Sequence, residues 1–336
     1  MNGSTHPYDA LTPDAVLDAV DARGYLTDGR LLALNSYENR VYQVGIEDAT
    51  PLVAKFYRPD RWTNAQIIEE HAFALELAEQ EVPVIAPLAI DGATLFEHAG
   101  FRLALYPRRG GRAPEPGNVD QLEWLGRFIG RIHAAGGARG FAERPRLSAT
   151  TMGNDSLAVL REGDWLPDYL RDNFLDAGER LVEHATTAFE AVAARSLRLH
   201  GDCHPGNILW TDAGPHFVDL DDCITGPAIQ DVWMLLAGSR HDREAQLRVF
   251  LEGYERFALF DPAELALIEP LRALRMIHFI AWIARRWDDP AFPPAFPWFG
   301  TPRYWEEQLN DLREQLETLG EPPLRLHPQQ DWSGRI

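Results

Sequence analysis

Cysteine is nearly absent. Cys203 and Cys223 are the only two in 336 residues, and no C-x-x-C pair occurs. No disulfide framework is implied, and His204 beside these two thiols gives no four-ligand set for zinc. Positive charge is also short: 32 Lys and Arg stand against 51 Asp and Glu, a net charge of −19. Such a surface repels phosphate backbones and anionic lipid, which argues against nucleic-acid and membrane partners. It could attract a cationic substrate, but solubility is the preferred account of it. Long apolar runs are missing. The most apolar later stretch, 271–283, contains Arg272, Arg275 and His278 and is too short and too charged to span a bilayer. Residues 1–14 have neither a basic start nor an apolar run, so no secretory signal is expected. There is no low-complexity segment and no solenoid repeat. These absences predict a reduced, cytoplasmic, globular protein; a monomer is one possible state, and the residues do not fix the oligomeric state.

What is present suffices for packed cores: 45% of the residues are hydrophobic and 10% aromatic, and the length fits two lobes. Alternation predicts strands at 40–44 and 51–57, and a helix over 63–81 with Thr63 or Asn64 as N-cap, stopped by Pro83 and Pro87. Residues 94–96 and 101–106 read as a hairpin closed near Gly100. A Pro/Gly-rich stretch from Pro107 to Gly117 marks the lobe boundary, giving lobes at 1–107 and 108–336. Helix patterns follow at 119–135, 168–194, 229–238, 244–257, 262–287 and 302–319. They are interrupted by a strand-rich, polar island at 197–220. The fold class expected is α+β and bilobal, a small antiparallel sheet with one main helix followed by a larger helical lobe. The tail after Gly320 is Pro-rich and is expected on the surface or against a lobe.

The island carries the sharpest signal. It reads Leu199-His200-Gly201-Asp202-Cys203-His204-Pro205-Gly206-Asn207-Ile208-Leu209-Trp210, then Phe217-Val218-Asp219-Leu220-Asp221-Asp222. An Asp precedes an Asn by five positions on a tight loop, and a second Asp ends a short apolar strand. This pattern suits phosphoryl transfer. Magnesium on a triphosphate takes hard oxygen ligands and keeps several waters, so an Asn amide and an Asp carboxylate suffice. A separate carboxylate must orient the acceptor hydroxyl and take its proton. Gly201, Pro205 and Gly206 permit the sharp turn that would bring Asp202 and Asn207 to one side.

The arrangement resembles the protein-kinase-like superfamily, whose protein kinases read H-R-D-x-x-x-x-N followed by D-F-G. Here it is H-G-D-x-x-x-x-N followed by D-L-D, closer to the aminoglycoside phosphotransferase and choline kinase branch. The resemblance implies ATP and Mg2+ as cofactors, Asp202 as catalytic base, and Asn207 and Asp219 as metal ligands. It implies that Lys55, in Leu52-Val53-Ala54-Lys55-Phe56, grips the nucleotide phosphates. Glu70 on the next helix would pair with it, and Glu69 is the rival. The phosphate hairpin departs from the protein-kinase pattern, since Leu34-Asn35-Ser36-Tyr37-Glu38-Asn39-Arg40-Val41-Tyr42 has no glycine. Ser36 is the expected ATP contact there, with the turn's backbone N–H groups beside it, and Arg40 a structural residue. His200 is expected to buttress the loop, and Asp231 to order it by accepting backbone N–H groups.

Four segments narrow the resemblance further: 35–43, 55–59, His200-Gly201-Asp202-Cys203-His204 and 287–298. Together they are similar to the bacterial stress response kinase A family (RdoA-type), over almost the whole chain. That resemblance implies a cytoplasmic serine/threonine protein kinase linked to stress, acting on a protein substrate. The residues alone leave alternatives open. Only 220–230 separates Asp219 from Asp231, which leaves no room for a long activation segment. The second position after the expected base is His204 where many protein kinases have Lys. A small-molecule hydroxyl kinase fits these features too, and a nucleotide-binding pseudoenzyme is the third reading. Trp282, Trp287, Trp298 and Trp305 would either line an acceptor cleft or fill the core.

Overall fold

The computed structural model describes residues 8–326. The first seven residues of the stretch read as free of a signal, and 327–336 of the Pro-rich tail, lie outside it. The described chain opens with α1 (Pro13–Asp21), capped by Thr12, and β1 (Thr27–Ala33). Neither was expected from sequence: α1 is only nine residues long, and β1 has a mixed burial pattern without regular alternation. Then come β2 (Arg40–Ile46), β3 (Leu52–Phe56), α2 (Asn64–Glu79), β4 (Phe96–His98) and β5 (Phe101–Pro107). The strands form one antiparallel sheet in the order β1-β2-β3-β5-β4. Lys55 sits on β3, the central strand, opposite Val41 of β2 and Ala104 of β5. The β4–β5 hairpin turns through Ala99 and Gly100, both at positive φ (49° and 82°), which lets two residues close it with the sheet's own twist. Helix α2 begins at Thr63 with a capping box to Gln66, as its sequence predicts.

The remainder is mainly helical: α3 (Val119–Gly136), α4 (Asp155–Glu162), α5 (Asp168–Val192), then the island of β6 (Leu197–Leu199), β7 (Ile208–Thr211), β8 (Gly214–Phe217) and β9 (Ile224–Gly226), then α6 (Arg240–Tyr254), α7 (Ile268–Arg285), the single turn α8 (Phe292–Ala295) and α9 (Pro302–Thr318). β6 pairs with β9 and β7 with β8. The α3–α6 contact is backbone-close: a Cβ on Gly126 would lie 2.0 Å from the Phe250 carbonyl oxygen, so only glycine admits this approach. One apolar core joins α2, α3, the island and α6, and a second joins α4, α5, α7 and α9. The island therefore rests on a packed base while its loops face the sheet.

Two helix expectations need correction. Residues 229–238 do not form a helix; they form two short 3-10 turns, Ala228–Asp231 and Trp233–Leu235. Ala228 to Trp233 are all buried, the polar Gln230 and Asp231 included, so the segment has no solvent face and its pattern reports core rather than helix. The helix expected over 262–287 starts only at Ile268, after a 3-10 stretch over Pro262–Leu267. The described part of the tail, 321–326, lies against the helical lobe as expected: Leu324 is buried, and Arg325 N donates to Glu244 Oε1 at 3.0 Å. Among the described residues no helix is long and apolar enough to cross a membrane.

Candidate active site

Between the sheet and the helical part lies a cavity of about 330 Å³, lined by Ser36, Val53, Lys55, Glu70, Tyr106, Asn207, Leu209 and Asp219 among others. Its residues come from the β1–β2 loop, from β3, β5 and α2, and from the island.

The island side is rigid for local reasons. Gly201 has φ +87°, and a Cβ there would lie 2.1 Å from the Asp222 carbonyl oxygen. Asp231, buried in its 3-10 turn, accepts from the backbone N–H groups of His200 and Gly201, both at 2.8 Å, and meets His133 Nε2 at 3.2 Å. His200 Nε2 lies 2.9 Å from the Val218 carbonyl oxygen, tying the loop to the strand that leads to Asp219. Pro205–Asn207 makes one 3-10 turn, and Val218 N donates to Asn207 O at 3.0 Å. Asp219 itself adopts a left-handed backbone, φ +60°. A non-glycine residue rarely does so, and strain of this kind concentrates at functional sites.

These constraints bring the sequence-predicted residues together. Lys55 Nζ lies 3.0 Å from Asp219 Oδ1, 2.9 Å from Asp221 Oδ1 and 3.8 Å from Glu70 Oε1. Burial alone would drive the ammonium's pKa down, but the Asp219, Asp221 and Glu70 carboxylates hold it well above the usual lysine range. Glu70 is pushed up to about 7, chiefly by burial, with Lys55 opposing. Glu69, the rival, faces elsewhere: its carboxylate accepts from the backbone N–H groups of Ala142, Glu143 and Arg144 at 2.6–2.8 Å. Asn207 Nδ2 donates to the Asp202 carbonyl oxygen at 3.0 Å, which turns its Oδ1 outward. Among the described residues no donor reaches Asn207 Oδ1 or Asp219 Oδ2. Two hard oxygens free on residues of one cavity fit a magnesium ion that keeps most of its waters.

Asp202 is not among the lining residues but borders them, 3.4 Å from Asn207 Nδ2. Arg275 Nη1 donates to its Oδ1 at 2.6 Å and His204 Nε2 lies 3.4 Å from its Oδ2. Burial works against ionisation of Asp202, yet His204 and Arg275 outweigh it and hold the carboxyl well below the usual range. It is ionised at neutral pH.

Two residues of the cluster, Asp221 and Arg275, escaped the sequence reading. Asp221 is 1% exposed and held by Lys55, Arg61 and Asn39 Nδ2 (3.1 Å); the D-L-D motif contained it without disclosing a role. Arg275 comes from α7, 73 residues from its partner, and no local pattern marks it. For Lys55 a stronger signal was available: it is the only lysine in the chain, every other basic residue counted with it being arginine. Where arginine serves everywhere else, the one compact ammonium stands among three carboxylates. The tryptophans divide: Trp305 is core at 1% exposed, Trp287 packs on Trp165 and Phe299, Trp298 stacks on Tyr304, and Trp282 hydrogen-bonds Glu38.

Comparison with known proteins places this geometry. Residues 30–268 match the phosphotransferase enzyme family model. Stress response kinase A of Escherichia coli strain K12 is 48% identical over 98% of this chain and 99% of its own length. The serine/threonine protein kinase RdoA of Salmonella typhimurium is 47% identical over the same shares. Among solved structures, amicoumacin kinase hAmiN in complex with AMP-PNP and Ca2+ superposes with TM-score 0.70 at 18% identity, covering 91% of this chain and 94% of that one. A microcompartment-associated aminopropanol kinase does so with TM-score 0.67 at 18% identity, covering 92% and 100%. These last two likenesses are of fold, and the fold is the kinase-like one of the phosphotransferases. With near-half identity along virtually the whole length, the chain belongs to the stress response kinase A family of phosphotransferases.

Proposed function

We propose that this phosphotransferase is an ATP- and magnesium-dependent kinase that transfers the γ-phosphate to a serine or threonine hydroxyl of a protein. In this reading residues 1–107 form the nucleotide-binding lobe and 108–336 the lobe that carries the catalytic loop. The observation that carries it is the 3.0 Å approach of Lys55 to Asp219, 164 residues apart in sequence, in a cavity that Ser36 and Asn207 also line. The protein acceptor is supported by the RdoA relative, which is named a serine/threonine protein kinase.

Magnesium, when bound between the phosphates, supplies the positive charge that transfer requires. Asn207 Oδ1 and Asp219 would hold it, and Lys55, 3.0 Å from Asp219 Oδ1, would reach the phosphates beside it. Glu70 and Asp221 keep the ammonium charged and pointed into the cavity. Asp202 accepts the hydrogen bond of the acceptor hydroxyl and so orients its oxygen. Because His204 and Arg275 keep Asp202 a weak base, it positions the hydroxyl early and takes the proton late in the transfer.

A small-molecule acceptor suits two features, the short span from Asp219 to Asp231 and His204 at the second position after Asp202. Incubating the protein with γ-labelled ATP, magnesium and a cell extract separates the two acceptors. Label is expected on serine or threonine of protein. Label confined to a soluble metabolite would replace the proposal with the second reading.

A further inference from the structure

Three of the stretches that carry the family resemblance, 35–43, 55–59 and 287–298, meet at one place in the fold, and charged side chains make the junction. Glu38, in the middle of the glycine-free loop, accepts from Trp282 Nε1 at 2.6 Å and from Arg286 Nε and Nη2 at 3.0 and 2.8 Å. Arg58 Nε lies 3.1 Å from the same carboxylate. Asp289, 4% exposed, takes Arg40 Nη2 at 3.0 Å and also pairs with Arg58. Arg40 and Arg58 each donate to the Tyr37 carbonyl oxygen, at 3.1 and 3.2 Å. Arg58 N donates to Asn39 Oδ1 at 3.1 Å, and the Tyr37 ring packs on Phe296 at 5.1 Å. Every residue from Tyr37 to Arg40 is thus held, and the anchors at 282–296 belong to the helical part.

A phosphate-binding hairpin normally relies on glycine so that its backbone can close on the ligand. This one cannot flex in that way, so its shape must be set beforehand. Ion pairs to a second rigid body do that, and a loop fixed in its binding shape loses less entropy when ligand arrives. We propose that Glu38 and Asp289 are positioning residues of the nucleotide site: through them the helical part, in place of glycine, sets the phosphate loop. Trp282 and Arg286 then act on nucleotide affinity although neither lines the cavity. The inference rests on the cavity being the nucleotide site.

The test uses the full chain with Trp282→Phe, Arg286→Gln and the double variant, and Arg286→Lys as the conservative control. Binding of Mg·AMP-PNP by calorimetry, KM for ATP, kcat and Tm are measured together. The double variant is expected to bind Mg·AMP-PNP about tenfold more weakly, with KM for ATP rising in step and the change lying in KM rather than kcat. Arg286→Lys should recover part of the loss. A fall in Tm with unchanged nucleotide affinity would overturn the proposal and leave a purely structural clamp. Should the double variant fail to fold, Glu38→Gln, nearly isosteric, answers the same question, and unchanged affinity there overturns it equally. Wild-type protein that does not bind Mg·AMP-PNP would instead overturn the nucleotide-site reading itself.

Discussion

The loop at 200–207 and the loop at 34–42 flank one cavity and are held by opposite means. The first is fixed from nearby in sequence: a glycine at φ +87°, a 3-10 turn at Pro205 and the carboxylate of Asp231 some thirty residues on. The second also takes bonds from Arg58, some twenty residues on, but its anchoring reaches across the cleft to partners 244–249 residues away. The difference concerns what each loop must do. A carboxylate that orients a hydroxyl tolerates little displacement, since small errors in reacting geometry are costly, and backbone hydrogen bonds give that precision. A loop that covers phosphate needs only a fixed shape, and side-chain ion pairs across the cleft can impose one.

The largest expected effect falls on the locally built loop. Asp202→Asn should lower kcat by about 10²–10⁴-fold while leaving Mg·AMP-PNP affinity nearly unchanged. Asp219→Asn should abolish metal-dependent turnover. Steady-state rates alongside calorimetry check both, and an Asp202 variant with full turnover would refute the base assignment. Next comes stability. Asp231→Ala leaves the His200 and Gly201 N–H groups without their carboxylate and should cost about 3 kcal/mol in chemical denaturation. Asp289→Asn, at the other loop, should weaken nucleotide binding more than it lowers stability, and the reverse order would erase the contrast drawn above.

A smaller effect concerns pH. Glu70 is pushed up to about 7 in the fold by burial, so it loses its proton near neutrality. Its pairing with Lys55 requires the ionised form, so turnover should rise with pH through about 7. Glu70→Gln should flatten that limb. Stability moves the other way: a carboxyl whose pKa is raised on folding contributes fully below its ordinary value and loses that contribution as pH climbs through 7. A wild-type rate profile flat between pH 6 and 8 would contradict this. The smallest effect is expected at Ser36→Ala, a rise of at most about fivefold in KM for ATP, equivalent to one ordinary hydrogen bond.

Legibility in the sequence followed the same division. Asp202, Asn207 and Asp219 stood out because a tight loop and a strand end impose fixed spacings. The capping box at Thr63 and the hairpin at Gly100 are equally local. Glu70 could be preferred over Glu69, and the structure separates them, since one faces Lys55 and the other caps three backbone N–H groups. Residues 229–238 misled because their first five positions, 229–233, are all buried and offer no solvent face for a helical period to reveal. Arg275, Asp289 and the role of Glu38 were invisible, as each acquires its partner only when distant segments pack.

By itself the sequence determined the order of the elements from β2 to α3, the family and the residue types available for phosphoryl transfer, because these depend on short-range periodicity, turn geometry and motif spacing. Tertiary structure alone decided that Lys55 meets Asp221 as closely as Asp219, that Arg275 sits on Asp202, and that the glycine-free loop is anchored across the cleft. The physical reason is that Coulomb interaction and burial act on distance in space, which separation along a chain does not encode.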